Sequence, residues 1–194
     1  MGQAVASTMA RMWFVAAALW VGGAAIEFAG VPEGAGFVLF EAVWIAAHLA
    51  VLVGLVALGR MRPHGDSRVG AIGLKAAIGA RIVFLLGEAD CIRTGTNESL
   101  LLPIGALVTA VGMIFFGAAV ARRRGWLGWR RFAPLTMGVY PFLVMFPVVA
   151  ATGEPSSVAI GAWAVTFVVI GMAAIREGGS LGVRSARTSP APAM

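Results

Sequence analysis

Apolar positions dominate six successive runs of the chain, at about 12–30, 37–59, 69–89, 100–121, 132–151 and 157–175. A hydrocarbon core of ~30 Å takes ~20 helical residues to cross, so each run is predicted to span a membrane as one helix. The breaks between them carry turn chemistry. Gly30-Val31-Pro32-Glu33-Gly34, Arg62-Pro63-His64-Gly65-Asp66, Arg93-Thr94-Gly95-Thr96-Asn97 and Thr152-Gly153-Glu154-Pro155 combine glycine, proline and small polar residues that end helices. The pattern predicts an all-α fold, a polytopic bundle of six transmembrane helices over residues 1–177. The tail 178–194, rich in Gly, Ser, Arg, Ala and Pro, is expected to be disordered.

Composition agrees with that reading and removes others. Hydrophobic residues make up 59% of the 194, charged residues 12%, and the mean hydropathy is +0.88. A water-soluble domain has about 25% charged residues, so an ordinary cytosolic enzyme is excluded. A net charge of +6 and a pI near 11.2 would otherwise suggest nucleic acid, but the basic residues alternate with the spans. Arg11 precedes the first span; Arg60, Arg62 and Arg68 lie between the second and third; Arg122, Arg123, Arg124, Arg130 and Arg131 lie between the fourth and fifth; Arg176, Arg184 and Arg187 follow the last. Positive loops stay cytoplasmic, so both termini are expected in the cytoplasm of a bacterial plasma membrane. Glu33, Arg93, Glu98 and Glu154 are then in the outer loops. The first span has a basic residue ahead of an apolar run, as a signal peptide does, but its length and Glu27 favour a retained helix. No internal repeat is evident.

Ionisable groups inside spans are costly in lipid and mark candidate sites. Trp13, Trp20 and Glu27 recur every seven residues in the first span, forming one stripe. Glu41, Trp44 and His48 share a face of the second, and Arg81, Phe84 and Glu88 repeat that spacing in the third, with Asp90 following. Ala42, Ala46, Ala50 and Gly54 form a small-residue series expected to be a helix-packing face. Pro134, Pro141 and Pro147 should kink the fifth span beside Tyr140, and Trp163 and Thr166 lie in the outer half of the sixth. These placements suggest an outward-biased, aromatic-lined pocket containing carboxylates.

Plainer readings stand beside each. Arg81 in mid-membrane needs a counter-ion, which Glu41 or Glu27 could provide as an architectural pair. His48 can be a core histidine bonded to a carbonyl, and Glu27, Glu88 and Asp90 can be hydrated helix ends. Glu41 is the residue least suited to a purely solvated role. The stretch Arg122-Arg123-Arg124-Gly125-Trp126-Leu127-Gly128-Trp129-Arg130-Arg131 reads as an interfacial anchor on lipid. Asn97-Glu98-Ser99 fits the glycosylation pattern weakly. Cys91 is the only cysteine, so disulfides, CxxC pairs and thiolate zinc frameworks are excluded. His48 and His64 are the only histidines, and no metal or cofactor is expected from them. Nucleotide-binding, hydrolase and metalloprotease motifs are absent, as is the aspartate-rich diphosphate pattern.

The six-span organisation, with Lys75 as sole lysine and the stretch Trp129-Arg130-Arg131-Phe132-Ala133-Pro134-Leu135 followed by Tyr140-Pro141, resembles small integral membrane proteins of actinobacteria. A short polytopic bundle without aspartate-rich motifs is also similar to membrane-integral terpene cyclases, including indole-terpenoid cyclases. That resemblance implies a metal-independent cyclisation of a lipophilic isoprenoid, started by a carboxylic acid within the helices. No residue role is carried over from that family. From the residues themselves, Glu41 is the expected proton donor, since apolar surroundings disfavour a charged carboxylate. Glu27, Glu88 and Asp90 would orient substrate or take the final proton. Trp20, Trp44, Phe84, Tyr140 and Trp163 would line the substrate site with His48 and Arg81, their rings stabilising a carbocation. The alternative is a transporter, channel or ligand sensor in which Glu41, His48 and Arg81 bind a cation, proton or small amphiphile; a third is a non-catalytic membrane subunit. Membrane lipids and a lipophilic small molecule are the expected partners.

Overall fold

The computed structural model describes residues 2–188. Helices α1 (Gly2–Ala29), α2 (Ala35–Met61), α3 (Arg68–Thr94) and α4 (Leu101–Arg123) are each unbroken. A 3-10 turn (Gly128–Phe132), α5 (Ala133–Tyr140), a π turn (Pro141–Met145) and α6 (Phe146–Thr152) together make a fifth rod. The sixth comprises α7 (Ser157–Ala162) and α8 (Ala164–Thr188). All six rods are long and apolar enough to cross a membrane, and no strand occurs among the described residues. Val21, Leu39, Ile72, Leu86, Leu143 and Val165 are among the large apolar side chains turned outward.

The rods run alternately up and down, as close approaches between neighbours show. Along α1 and α2, Trp13 lies on Gly54 and Trp44 lies on Gly23. Along α3 and α4, Gly73 meets Gly112, where a methyl on either glycine would stand 2.5 or 2.6 Å from the other's carbonyl oxygen. Gly117 and Gly138 give the same close approach between α4 and α5, against the backbone of Leu135 and Ile114. The circle closes where Gly171 and Gly178 of α8 meet Phe14 and Ala6 of α1. Apolar side chains gain little by leaving lipid for a helix interface, so small residues that admit close backbone contact drive such packing.

Several expectations shift. Helix α1 begins ten residues before the expected span. Helix α3 continues to Thr94, which puts Glu88 six residues inside it rather than at its end. Ala42 is exposed and Ala46 half-buried, whereas Ala50 and Gly54 are buried. The small-residue series thus packs only along its second half, where Trp13 fills the groove over Gly54. Helix α8 runs on to Thr188 although disorder was expected from Gly178; Gly178 seats on Ala6 and no proline intervenes before Pro190. Residues 189–194 of the expected tail lie outside the described residues. The basic, tryptophan-rich stretch is partly docked rather than wholly interfacial. Trp126 is buried, Arg130 pairs with Glu177 at 3.2 Å, and the Leu127 amide donates to Glu177.

Proline chemistry accounts for the broken rods. Pro141 has no N–H to donate to the Met137 carbonyl four residues back. The Trp163 indole donates to that same carbonyl at 3.0 Å. Helix α7 breaks at Trp163, where the chain makes i to i+3 bonds. Carbonyls left accessible there are also used: Trp20 Nε1 donates to Ile160 O and the Tyr140 hydroxyl to Ala159 O, both at 2.8 Å. Irregular backbone inside an apolar bundle persists when side chains satisfy its freed polar groups.

Candidate functional site

Antiparallel packing of α2 on α3 aligns two polar levels. Glu41 lies six residues from the start of α2 and Glu88 six from the end of α3; His48 and Arg81 lie thirteen from the same two ends. At 1.5 Å per residue the carboxyls lie ~9 Å, and the His48 and Arg81 level ~20 Å, below the end of the bundle that carries the Glu33, Glu98 and Glu154 loops. The i, i+3, i+7 spacing on each helix turns these four residues, together with Trp44 and Phe84, inward. Glu41, His48, Arg81 and Glu88 are at most 4% exposed.

The deeper level is a hydrogen-bonded chain. Arg81 Nη1 donates to His48 Nδ1 at 3.1 Å and Nη2 to Thr109 Oγ1 at 3.2 Å. A guanidinium cannot accept, so His48 Nδ1 is the acceptor and Nε2 carries the ring proton. Nε2 then donates to Glu88 Oε1 at 3.1 Å. The imidazole, stacked on Phe84 with centroids 4.3 Å apart, links the arginine to the carboxylate. Arg81 therefore does not pair directly with Glu41 or Glu27, and His48 is not bonded to a carbonyl. Each takes the other as partner because α2 and α3 bring them to one level.

The upper level is different. Ligand atoms of Glu41, Glu88 and Cys91 lie within 4.8 Å of one another. Both Glu41 oxygens are buried and make no hydrogen bond of good geometry among the described residues; the polar group they face is the Glu88 carboxyl. Two carboxylates at such a separation repel by about 3–4 kcal/mol at an effective dielectric of ~20. Glu27, half-buried near the end of α1, is within electrostatic range of both.

The aromatic residues are gathered, but around a resident cation. The Arg81 guanidinium carbon lies 4.8 Å from the Phe84 ring, 5.6 Å from Trp163 and 5.9 Å from Trp20. Trp20 in turn stands edge-on to Trp44, His48, Trp163 and Phe167, with centroids 5.1–5.5 Å apart. The rings pack on one another and on Arg81. Two expected site residues are elsewhere. Asp90 is paired with Arg93 at 2.7 Å near the helix end. Tyr140 lines an apolar groove of about 350 Å³ with Phe132, Leu135 and Thr166, which none of the acids touch.

Three residues of the site were missed by sequence reasoning. A lone cysteine makes no thiolate framework by itself, but Cys91 continues the Arg81, Phe84, Glu88 stripe by another three residues. Thr109 is the one hydroxyl in an otherwise apolar stretch of α4, and Phe167 extends the Trp163 face by one turn. Compared with protein-family models, curated proteins and solved structures, the chain matches none.

Proposed function

We propose that this protein is a multi-pass membrane protein that binds a cation between Glu41 and Glu88 and passes it, or signals its presence, across the bundle. The observation that carries this reading is the pair of buried, facing carboxyls, in which Glu41 makes no hydrogen bond of good geometry among the described residues, at the level just above the His48 and Arg81 chain. A proton or a cation between the two acids relieves their repulsion. With one positive charge gained, the pair and Arg81 together are neutral, which suits an apolar interior. Arg81, committed to His48 and Thr109, stabilises Glu88 through the imidazole without occupying the space between the acids.

Topology supports an external source for the cation. Basic residues gather at the end of the bundle holding the start of α1 and the end of α8, and retention of positive loops on the cytoplasmic side orients that end inward. Glu33, Glu98 and Glu154 then face outward and raise the local cation concentration. Glu27 stands between those loops and the buried pair. A cyclase would use the same Glu41 carboxyl as its acid, but needs room beside it for an isoprenoid chain; the rings that would line that room are packed on Arg81 and on each other.

Protein reconstituted in liposomes is expected to move protons or metal cations down an imposed gradient, with Glu41→Gln and Glu88→Gln abolishing the movement. Isoprenoid substrates should be recovered unchanged. Cyclised product formed without cation movement would overturn the reading in favour of the enzyme.

A further inference from the structure

We propose that the cation is a borderline-soft divalent transition metal ion, of the zinc and cobalt class, held by Glu41, Glu88 and the Cys91 thiolate; this rests on the cation-binding reading above. The donor atoms of the three residues lie within 4.8 Å of one another, and all three residues are buried. Around a tetrahedral ion with bonds of 2.0–2.3 Å, donors stand roughly 3.4–3.7 Å apart. The cluster thus stands at most about 1.4 Å from ligating geometry. The independent sign that a ligand belongs there is Glu41: its side chain is fully buried, lies in the cluster facing Glu88, and has neither oxygen in a hydrogen bond of good geometry among the described residues.

Donor chemistry selects the ion. Calcium and magnesium take six or more oxygens, often including water; this site offers two carboxylates and one sulfur in an apolar enclosure. Thiolate with carboxylate favours zinc, cobalt or ferrous iron. Charge agrees as well. Two carboxylates, one thiolate, a divalent ion and Arg81 sum to zero, the Cys91 thiol proton leaving to solvent as the Sγ–metal bond forms. His48 is a positioning residue here rather than a ligand. Its Nδ1 is occupied by Arg81 and its Nε2 proton is directed at Glu88, so it fixes that carboxylate in the manner of an outer-shell partner. Three protein donors leave the fourth position open, which suits a site that exchanges its ion.

The test uses tag-free, full-length protein in detergent, with Co²⁺ as the spectroscopic probe and Zn²⁺ as competitor. Co²⁺ should produce a thiolate-to-metal charge-transfer band with tetrahedral ligand-field absorption, displaced by Zn²⁺ and unaffected by excess Mg²⁺ or Ca²⁺. Cys91→Ser should remove the charge-transfer band, and Glu41→Gln should weaken Co²⁺ binding at least tenfold. Circular dichroism melts check that both variants remain folded; if Cys91→Ser does not, Cys91→Ala takes its place, and alkylation of Cys91 should be blocked by bound Zn²⁺. Absence of the band, or a band unchanged by these substitutions, overturns the metal assignment. If Glu41-dependent proton movement persists in liposomes without metal binding, the cation reading stands and only the metal assignment fails. If neither occurs, both fall.

Discussion

Arg81 donates to Nδ1 of His48 at 3.1 Å instead of to a carboxylate, so the only charge on the lower polar level is held by a neutral ring. That arrangement makes the two residues a unit: without Arg81, His48 loses its acceptor role and Glu88 its indirect counter-charge. Breaking a buried charged network by removing one partner costs about 3–5 kcal/mol. Arg81→Met should therefore lower unfolding stability in detergent by that order, and His48→Ala by somewhat less. The double variant should be less destabilised than the sum of the two, by about 1.5–3 kcal/mol, the range of a hydrogen bond to a charged group. Strict additivity in the cycle would show the two residues to be independent.

Much of this level is legible in the sequence, and the reason is periodicity. Spacings of three and seven put Glu41, Trp44 and His48 on one face of α2 and Arg81, Phe84 and Glu88 on one face of α3 whatever the helices' neighbours. The partners could not be read, because which face meets which depends on rotation and register. Those are set by contacts such as Gly73 on Gly112 and Trp13 on Gly54, where no single residue announces its counterpart. Hence charge alone matches Arg81 to Glu41 or Glu27, while the fold matches it to His48. The prolines predict a kink beside Tyr140 but not its direction, so the sequence groups Tyr140 with the acids. The π turn after it re-aims the rod, and its hydroxyl is instead committed to Ala159.

The glycine crossing of α3 and α4 predicts a sharp contrast within one residue type. Gly112→Ala would place a methyl 2.6 Å from the Gly73 carbonyl oxygen and 2.9 Å from the Ala77 nitrogen. Both obstacles are backbone and cannot rotate away, so the helices must separate. Overpacking of this kind costs about 1–3 kcal/mol. Gly22→Ala, whose methyl meets nothing within 4 Å, should instead be neutral or stabilise by up to about 1 kcal/mol through helix propensity. Thermal unfolding of the two variants side by side checks the contrast; equal effects would mean the crossing tolerates expansion.

His64, in the connection between α2 and α3, gives the fold a pH dependence of known sign. The ring is buried against Phe116, with centroids 5.4 Å apart. Burial pushes its pKa below the ordinary imidazole value of 6.5; Arg62 acts in the same direction and Asp66 opposes it. The unfolded chain thus binds a proton at a higher pH than the folded one. Stability from this group is fully present above pH 6.5 and is lost as pH falls from 6.5 towards the lower folded value. His64→Phe should flatten that part of the stability profile, measured by denaturant unfolding between neutral and mildly acidic pH. A profile as steep in the variant as in the parent would assign the dependence to other groups.

The bond from Trp163 to the Met137 carbonyl links two features that are distant in sequence, and it predicts a rescue. Pro141 deprives that carbonyl of its helical donor, and the indole N–H replaces it at 3.0 Å. Trp163→Phe keeps a ring beside Arg81 but leaves the carbonyl buried and unpaired, at a cost of about 1–3 kcal/mol. Pro141→Ala restores an N–H in the right place. In the Trp163→Phe background it should recover at least about 1 kcal/mol, whereas in the parent, where the carbonyl is already satisfied, it should gain much less. The difference between these two effects of Pro141→Ala is the quantity to measure, by unfolding in detergent. If it is zero, the carbonyl is satisfied in some other way and the indole serves only as packing.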